Sequence, residues 1–377
     1  MFSRDFHPTA FLRRLIGSEP FFEYCRERGI PFGEFGGSPH DDMRRWSDTL
    51  RASPKELQAQ VELEFAQVNE LSGRDGMDHL LASLNEGNMP PTDIPAGTPL
   101  SLWFLLHQRE VFDTVFLQHE VREVRSWRFA RTEPNLSVNE LAARTETLAK
   151  ALRQFFRIES GTGQFCAAEA RQVSDAVCFA AHIADRLRLV EAFTDSGTLS
   201  LESVRPALSV LFAYYPADGQ ILLKSHLRAM DRVNALLRCF GETVLRANIA
   251  GVVDTYVLDR LKQPFRPLPD APDMEDVRVK SLHLRYPPSR AGRLLKLETR
   301  SNDASSAIEE LLRLHIGTSD ELERLRVCYA ELEVRLRVDG RRKVYPVRLW
   351  PDRCSLNQTP LGIRLRHCLS RWNLIHA

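Results

Sequence analysis

Lysine, paired cysteine motifs and long apolar runs are all scarce in this chain, and each scarcity removes a class of protein. Only seven of the 51 basic residues are lysine, which leaves 44 arginines. The seven cysteines (Cys25, Cys166, Cys178, Cys239, Cys328, Cys354, Cys368) are odd in number, widely spaced and without a C-x-x-C. That pattern speaks against a disulfide framework and a zinc ribbon, and predicts reduced, mostly buried thiols. The longest apolar runs, such as Leu100–Leu106, fall far short of the roughly 20 residues that cross a bilayer. Arg4 and Asp5 interrupt the N-terminus before a signal-peptide core can form, so a cytoplasmic protein with no membrane partner is expected.

Catalytic fingerprints are missing too. Ser160-Gly-Thr-Gly163 has neither the Lys-Ser/Thr of a phosphate-binding loop nor a strand before it, and reads as a turn. No G-x-S-x-G places a nucleophile on an elbow. His119-Glu120-Val-Arg-Glu123 begins like a zinc-protease helix, but Glu123 stands where the second histidine belongs. His107 and His119 sit roughly 120° apart around one helix, so they do not converge on an ion. No cofactor and no metal is expected.

What is present is a globular composition, 43% hydrophobic and 27% charged, over 377 residues. That length is too great for one typical core and predicts two or three domains. The net charge of +1 hides an asymmetry. Residues 271–377 hold 20 basic and 14 acidic side chains, a balance of +6, so residues 1–270 carry about −5 by subtraction. Within 335–371, ten basic residues face only Asp339 and Asp352.

The expected class is α+β and multidomain: a mostly helical domain over 1–157, an α+β domain over 164–262, and a basic ββαββα domain over 274–377. Ser18-Glu19-Pro20 opens a helix that Gly29 ends, and Ser53-Pro54 precedes one whose Leu57, Val61, Phe65, Val68 and Leu71 form an amphipathic stripe. Gly87–Pro99, with four prolines, reads as a loop, followed by one long helix over about 100–126. Ser137 and Glu140 have capping-box spacing ahead of a helix over 138–157. The segments 176–183 and 186–193 suit either a short helix or a strand. Around Pro216-Ala-Asp-Gly219, the strand formers of 208–215 and 220–225 predict an antiparallel hairpin, backed by a helix over about 227–247. Proline-rich 263–273 reads as a linker.

In the last third, strands are predicted over 277–286 and 293–300, then a helix capped by Asn302 or Asp303 through His315. Strands 326–338 and 343–350 follow, then a helix from Pro360, capped by Thr359, to about Arg371. A two-residue Asp339-Gly340 turn requires paired residue numbers to sum to 679. Ala330, Leu332 and Val334 then share one apolar face with Leu349, Val347 and Tyr345, while Glu331 falls opposite Arg348. Pro346 cannot donate a ladder hydrogen bond, so 343–350 is expected at a sheet edge.

Two functions follow from these residues. The first is a non-catalytic binding or scaffolding subunit of a bacterial multi-protein assembly, a defence or mobile-element system being one setting. The C-terminal basic face would meet DNA or RNA, and the N-terminal helices a protein partner. The expected contacts are Arg341, Arg342 and Lys343 at the hairpin tip and Arg364, His367 and Arg371 along the last helix. The second is a divergent metal-dependent nuclease using Glu331 and Glu333 with Glu298 and Asp303. Against it, Glu333-Val-Arg335 has arginine where such sites carry lysine, and the four residues Glu331, Glu333, Arg335 and Arg337 equally make a charge ladder on a wet sheet face.

Overall fold

The computed structural model describes residues 8–31, 38–84, 88–173, 175–194, 197–267, 272–286, 294–300, 307–316, 318–338 and 340–376. The chain divides into two compact units, Met1–Val121 and Arg122–Ala377. Among the described residues no helix is long and apolar enough to cross a membrane.

The first unit is helical: α1 (Pro8–Leu15), α2 (Glu19–Glu27), α3 (Pro39–Arg51), α4 (Lys55–Leu71), α5 (Arg74–Ala82), α6 (Thr98–His107) and α7 (Arg109–Glu123). The α4 stripe is the predicted one, with Val61, Phe65, Val68 and Leu71 buried against Phe11, Tyr24 and Trp46. The single helix expected over 100–126 is instead two, because Gln108 (φ −133°, ψ 50°) leaves the helical region. The two halves have different needs: α6 is buried over Thr98–Leu105, whereas α7 alternates buried with charged positions. Two carboxylates are buried among the described residues here, Asp42 and Glu64. Glu64 accepts hydrogen bonds from Tyr24 Oη (2.7 Å), Arg28 Nε and Nη2 (3.0 and 2.9 Å) and Arg109 Nη1 (3.3 Å). Burial alone would raise its pKa, but the Arg28 and Tyr24 hydrogen bonds outweigh that and hold it below the ordinary value.

The second unit opens with β1 (Arg128–Arg131) and α8 (Leu141–Ser160). The expected capping box does not form: Glu140 adopts a left-handed backbone (φ 54°) and the helix starts after it without a side-chain cap. Next come β2 (Cys166–Val173), β3 (Ala176–Ala184), β4 (Arg188–Phe193), β5 (Leu199–Val204), β6 (Ala207–Tyr215), β7 (Gln220–Lys224) and α9 (Met230–Phe240). Both ambiguous segments, 176–183 and 186–193, are therefore strands. The last third contributes β8 (Met274–Arg285), β9 (Leu294–Glu298), α10 (Ala307–His315), α11 (Ser319–Arg324), β10 (Arg326–Val338), β11 (Arg341–Trp350), β12 (Arg353–Cys354) and α12 (Pro360–Arg371). Helix α11 and strand β12 add to the expected ββαββα order. The expected caps Asn302 and Asp303 lie outside the described residues, but Thr359 Oγ1 does accept from Gly362 N (3.3 Å) to cap α12.

Ten strands form one antiparallel sheet, ordered β2-β3-β6-β7-β1-β12-β11-β10-β8-β9. The small middle sheet and the C-terminal sheet expected separately are thus continuous. Arg128 on β1 joins them, opposite both Leu223 and Arg353. The domain boundary expected between 157 and 164 and the linker expected over 263–273 both fall within Arg122–Ala377.

Side chains opposite one another across a ladder share a face. Leu349 and Cys354 pair and are buried with α12, so the next residue, Arg353, points to the other face. Arg353 shares that face with Arg128 and Leu223, and Leu223 is buried with α8 and α9. Helices α8 and α9 therefore cover the β3-β6-β7 half on one side, where Phe212 stacks on Phe240 at 4.3 Å. Helices α10 and α12 cover the β11-β10-β8 half on the opposite side.

The β10–β11 register is the predicted one, from Ala330↔Leu349 to Val338↔Arg341, every pair summing to 679. Asp339 lies outside the described residues; Gly340 has φ +73°. Beyond β10, β11 pairs among the described residues at Leu349 and Trp350, with β12. Pro346, opposite Glu333, thus lies in the stretch that has a single ladder neighbour. Strands β4 and β5 form a separate two-stranded sheet.

Candidate nucleic-acid interface

The hairpin turn delivers Arg341, Arg342 and Lys343 to the first three positions of β11, all exposed. Strand alternation then separates them. Arg341 and Lys343, opposite Val338 and Leu336, take the face that α12 covers further along; Arg342, opposite Arg337, takes the other. Arg342 Nε donates to Glu275 Oε2 at 2.5 Å, and Arg337 Nε and Nη2 donate to Glu275 Oε1 at 2.9 and 2.7 Å. Those hydrogen bonds, from Arg337 first and then Arg342, hold the Glu275 carboxyl below its usual range. Arg341 and Lys343 have no ion-pair partner among the described residues.

On α12, Arg364 is half-buried and closes both terminal nitrogens on Asp273, at 2.7 and 2.6 Å. Asp273 also accepts from the Arg337 backbone N–H at 2.7 Å. The chain entering β8 therefore stitches α12 to the hairpin tip, bringing Arg341, Arg342, Lys343 and Arg364 into one neighbourhood. His367 and Arg371 are exposed further along α12. Sequence reasoning missed the two acids, Asp273 and Glu275, that occupy part of this basic surface. Their signal is the acidic run Asp273–Asp276, which leads into a strand that pairs with arginine-rich β10.

The carboxylates required by a metal nuclease are engaged otherwise. Glu331 Oε2 accepts from Tyr329 Oη (2.9 Å) and Arg348 Nε (3.0 Å), with Lys280 Nζ 3.7 Å from Oε1. Glu333 Oε1 accepts from Arg278 Nη2 at 2.6 Å and from Arg335 Nη2 at 3.2 Å. Arg278 and Glu333 are each only 4% exposed, so at this point the ladder is a buried ion pair rather than a wet face. Glu298 is exposed on β9, and Asp303 lies outside the described residues. Among the described residues no group of three His, Cys, Asp or Glu side chains is placed to hold a metal ion. His107 lies 2.9 Å from the Glu23 carboxylate and His119 3.6 Å from that of Glu70.

No protein-family model matches the chain, and no curated protein matches it in sequence.

Proposed function

We propose that this chain is a non-catalytic, nucleic-acid-binding subunit of a bacterial multi-protein assembly, gripping phosphates with the β10–β11 tip. The observation that carries this reading is that Arg341 and Lys343 are exposed on one strand face with no ion-pair partner among the described residues. Nearby arginines meet carboxylates in the fold: Arg342 and Arg337 meet Glu275, and Arg364 meets Asp273. Cations not engaged within the protein are the ones free to displace counter-ions from a phosphate backbone. The nuclease alternative finds no support in Glu331 and Glu333, whose oxygens accept from arginine.

The double variant Arg341→Glu/Lys343→Glu tests the reading by fluorescence anisotropy with a labelled polynucleotide across a salt series. The expected result is weakening by at least about tenfold at low salt, and a log–log salt slope shallower by roughly 1.5 to 2. Unchanged affinity and slope in a folded variant would reject the proposal.

A further inference from the structure

One row of side chains crosses the face of the β9-to-β12 half opposite α10 and α12. His283 on β8 pairs with Lys296 on β9 and with Tyr329 on β10. One step beyond the Ala330↔Leu349 pair, Tyr329 meets Trp350 on β11, and Trp350 pairs with Arg353 on β12. The row reads Lys296, His283, Tyr329, Trp350, Arg353 across five adjacent strands, roughly 19 Å at the usual strand spacing. Its rings are contiguous: His283 to Tyr329 at 4.5 Å between centroids, Tyr329 to Trp350 at 5.3 Å, and the Arg353 guanidinium 4.8 Å above Trp350. All three residues are half-buried, none of them closed off in the core.

The flanks of this row differ in charge. On one side lie Glu331, paired with Arg348, and exposed Glu298. On the other, Arg285 and Arg326 face one another across β8 and β10, both exposed and neither with an ion-pair partner among the described residues. Exposed Lys296 stands at the end of the row. Burial, then the Lys296 charge, holds His283 below the ordinary histidine pKa, which favours the neutral ring.

We propose that this face is a stacking platform for single-stranded nucleic acid, with unpaired bases on His283, Tyr329 and Trp350 and phosphates along Arg285, Arg326 and Lys296. The proposal rests on the nucleic-acid reading above and adds to it which strand state is bound and where. Three adjoining rings on an open antiparallel sheet match the arrangement that stacks two or three splayed bases. A ring accepts any base, because every base has a π-face, whereas a duplex keeps its base faces inside the helix. The acidic flank fixes which side of the rings the backbone takes.

The test measures anisotropy of the full chain with labelled 12-mers of single-stranded RNA, single-stranded DNA and the matching duplexes. Single strands should bind at least about tenfold tighter than duplex, and the RNA and DNA arms show which sugar is preferred. Trp350→Ala and Tyr329→Ala should each weaken single-strand binding by about tenfold with the salt slope unchanged, since they remove stacking and no phosphate contact. Trp350→Phe should recover most of the loss. Arg285→Glu/Arg326→Glu, which alters exposed side chains only, should flatten the salt slope by roughly 1.5 and keeps the test valid if an aromatic variant misfolds. Duplex binding equal to single-strand binding overturns the platform. So does single-strand binding that Arg285→Glu/Arg326→Glu leaves intact; if Arg341→Glu/Lys343→Glu still abolishes it, the tip reading survives alone. Absence of any polynucleotide binding overturns both.

Discussion

Two hairpins of the second unit start from similar sequence chemistry and end in opposite environments. Both alternate large apolar residues along antiparallel strands, and both turn through a glycine at positive φ, Gly197 at +76° and Gly340 at +73°. In β10–β11 the alternate residues Ala330, Leu332, Val334 and Leu336 are each 0% exposed. In β4–β5 the residues that share a face, Leu189, Phe193, Leu199 and Leu201, are 67%, 74%, 53% and 66% exposed. Alternation gives a strand two faces, but only a cover buries one. Helices α10 and α12 cover β10, and β8 completes its ladder. Among the described residues β4 and β5 pair only with each other, a unit that is marginally stable alone in water.

If that contrast is right, equivalent substitutions must have unequal costs. The largest is expected at the buried ion pair. Arg278→Ala removes the 2.6 Å partner of Glu333 in a site 4% exposed, leaving Arg335 at 3.2 Å, and should cost roughly 3 to 5 kcal/mol in chemical denaturation. Arg188→Ala, at the base of β4, removes a pair with Asp185 in which the arginine is 61% exposed, and should cost under about 1 kcal/mol. Leu332→Ala opens a cavity under α12 and should cost roughly 2 to 5 kcal/mol, against at most about 0.5 for Leu201→Ala. A Leu201→Ala cost near that of Leu332→Ala would mean that the β5 face is covered in solution.

The same contrast separates what could be read from the sequence from what could not. β10–β11 was legible because turn chemistry and alternation independently required one register, and its pairs follow it without a slip. The joining of the sheet was not. It runs through strands of four and two residues, too short to show a period of two, and pairs Arg128 with a residue 225 positions away. At the tip, the exposure of Arg341, Arg342 and Lys343 was readable from local sequence. The engagement of Arg342 and Arg364 by Glu275 and Asp273 was not, because β8 meets β10 with register shifts at three places. Tyr329 opposite Trp350 was one step from the register in hand, since 329 and 350 also sum to 679. His283 lies beside a shift, out of reach of the same arithmetic.

The sharpest test of the comparison places one substitution in both turns. A Cβ added at Gly340 or at Gly197 meets nothing within 4 Å, so alanine costs only the left-handed backbone, about 1 to 2 kcal/mol at either site. Where that cost appears depends on what unfolds with the turn. The β10–β11 turn belongs to a ten-stranded sheet, so Gly340→Ala should lower global stability by about 1 kcal/mol, seen in the denaturation midpoint. The β4–β5 turn, closed by Gly197 N–H to Thr194 O at 2.8 Å and Thr194 N–H to Thr198 O at 2.9 Å, can open while the rest stays folded. Gly197→Ala should leave the midpoint within error and speed hydrogen exchange at the Thr194 amide and its β4 neighbours. If both variants shift the midpoint equally, β4–β5 folds cooperatively with the large sheet, and its exposed apolar face is not a sign of local independence.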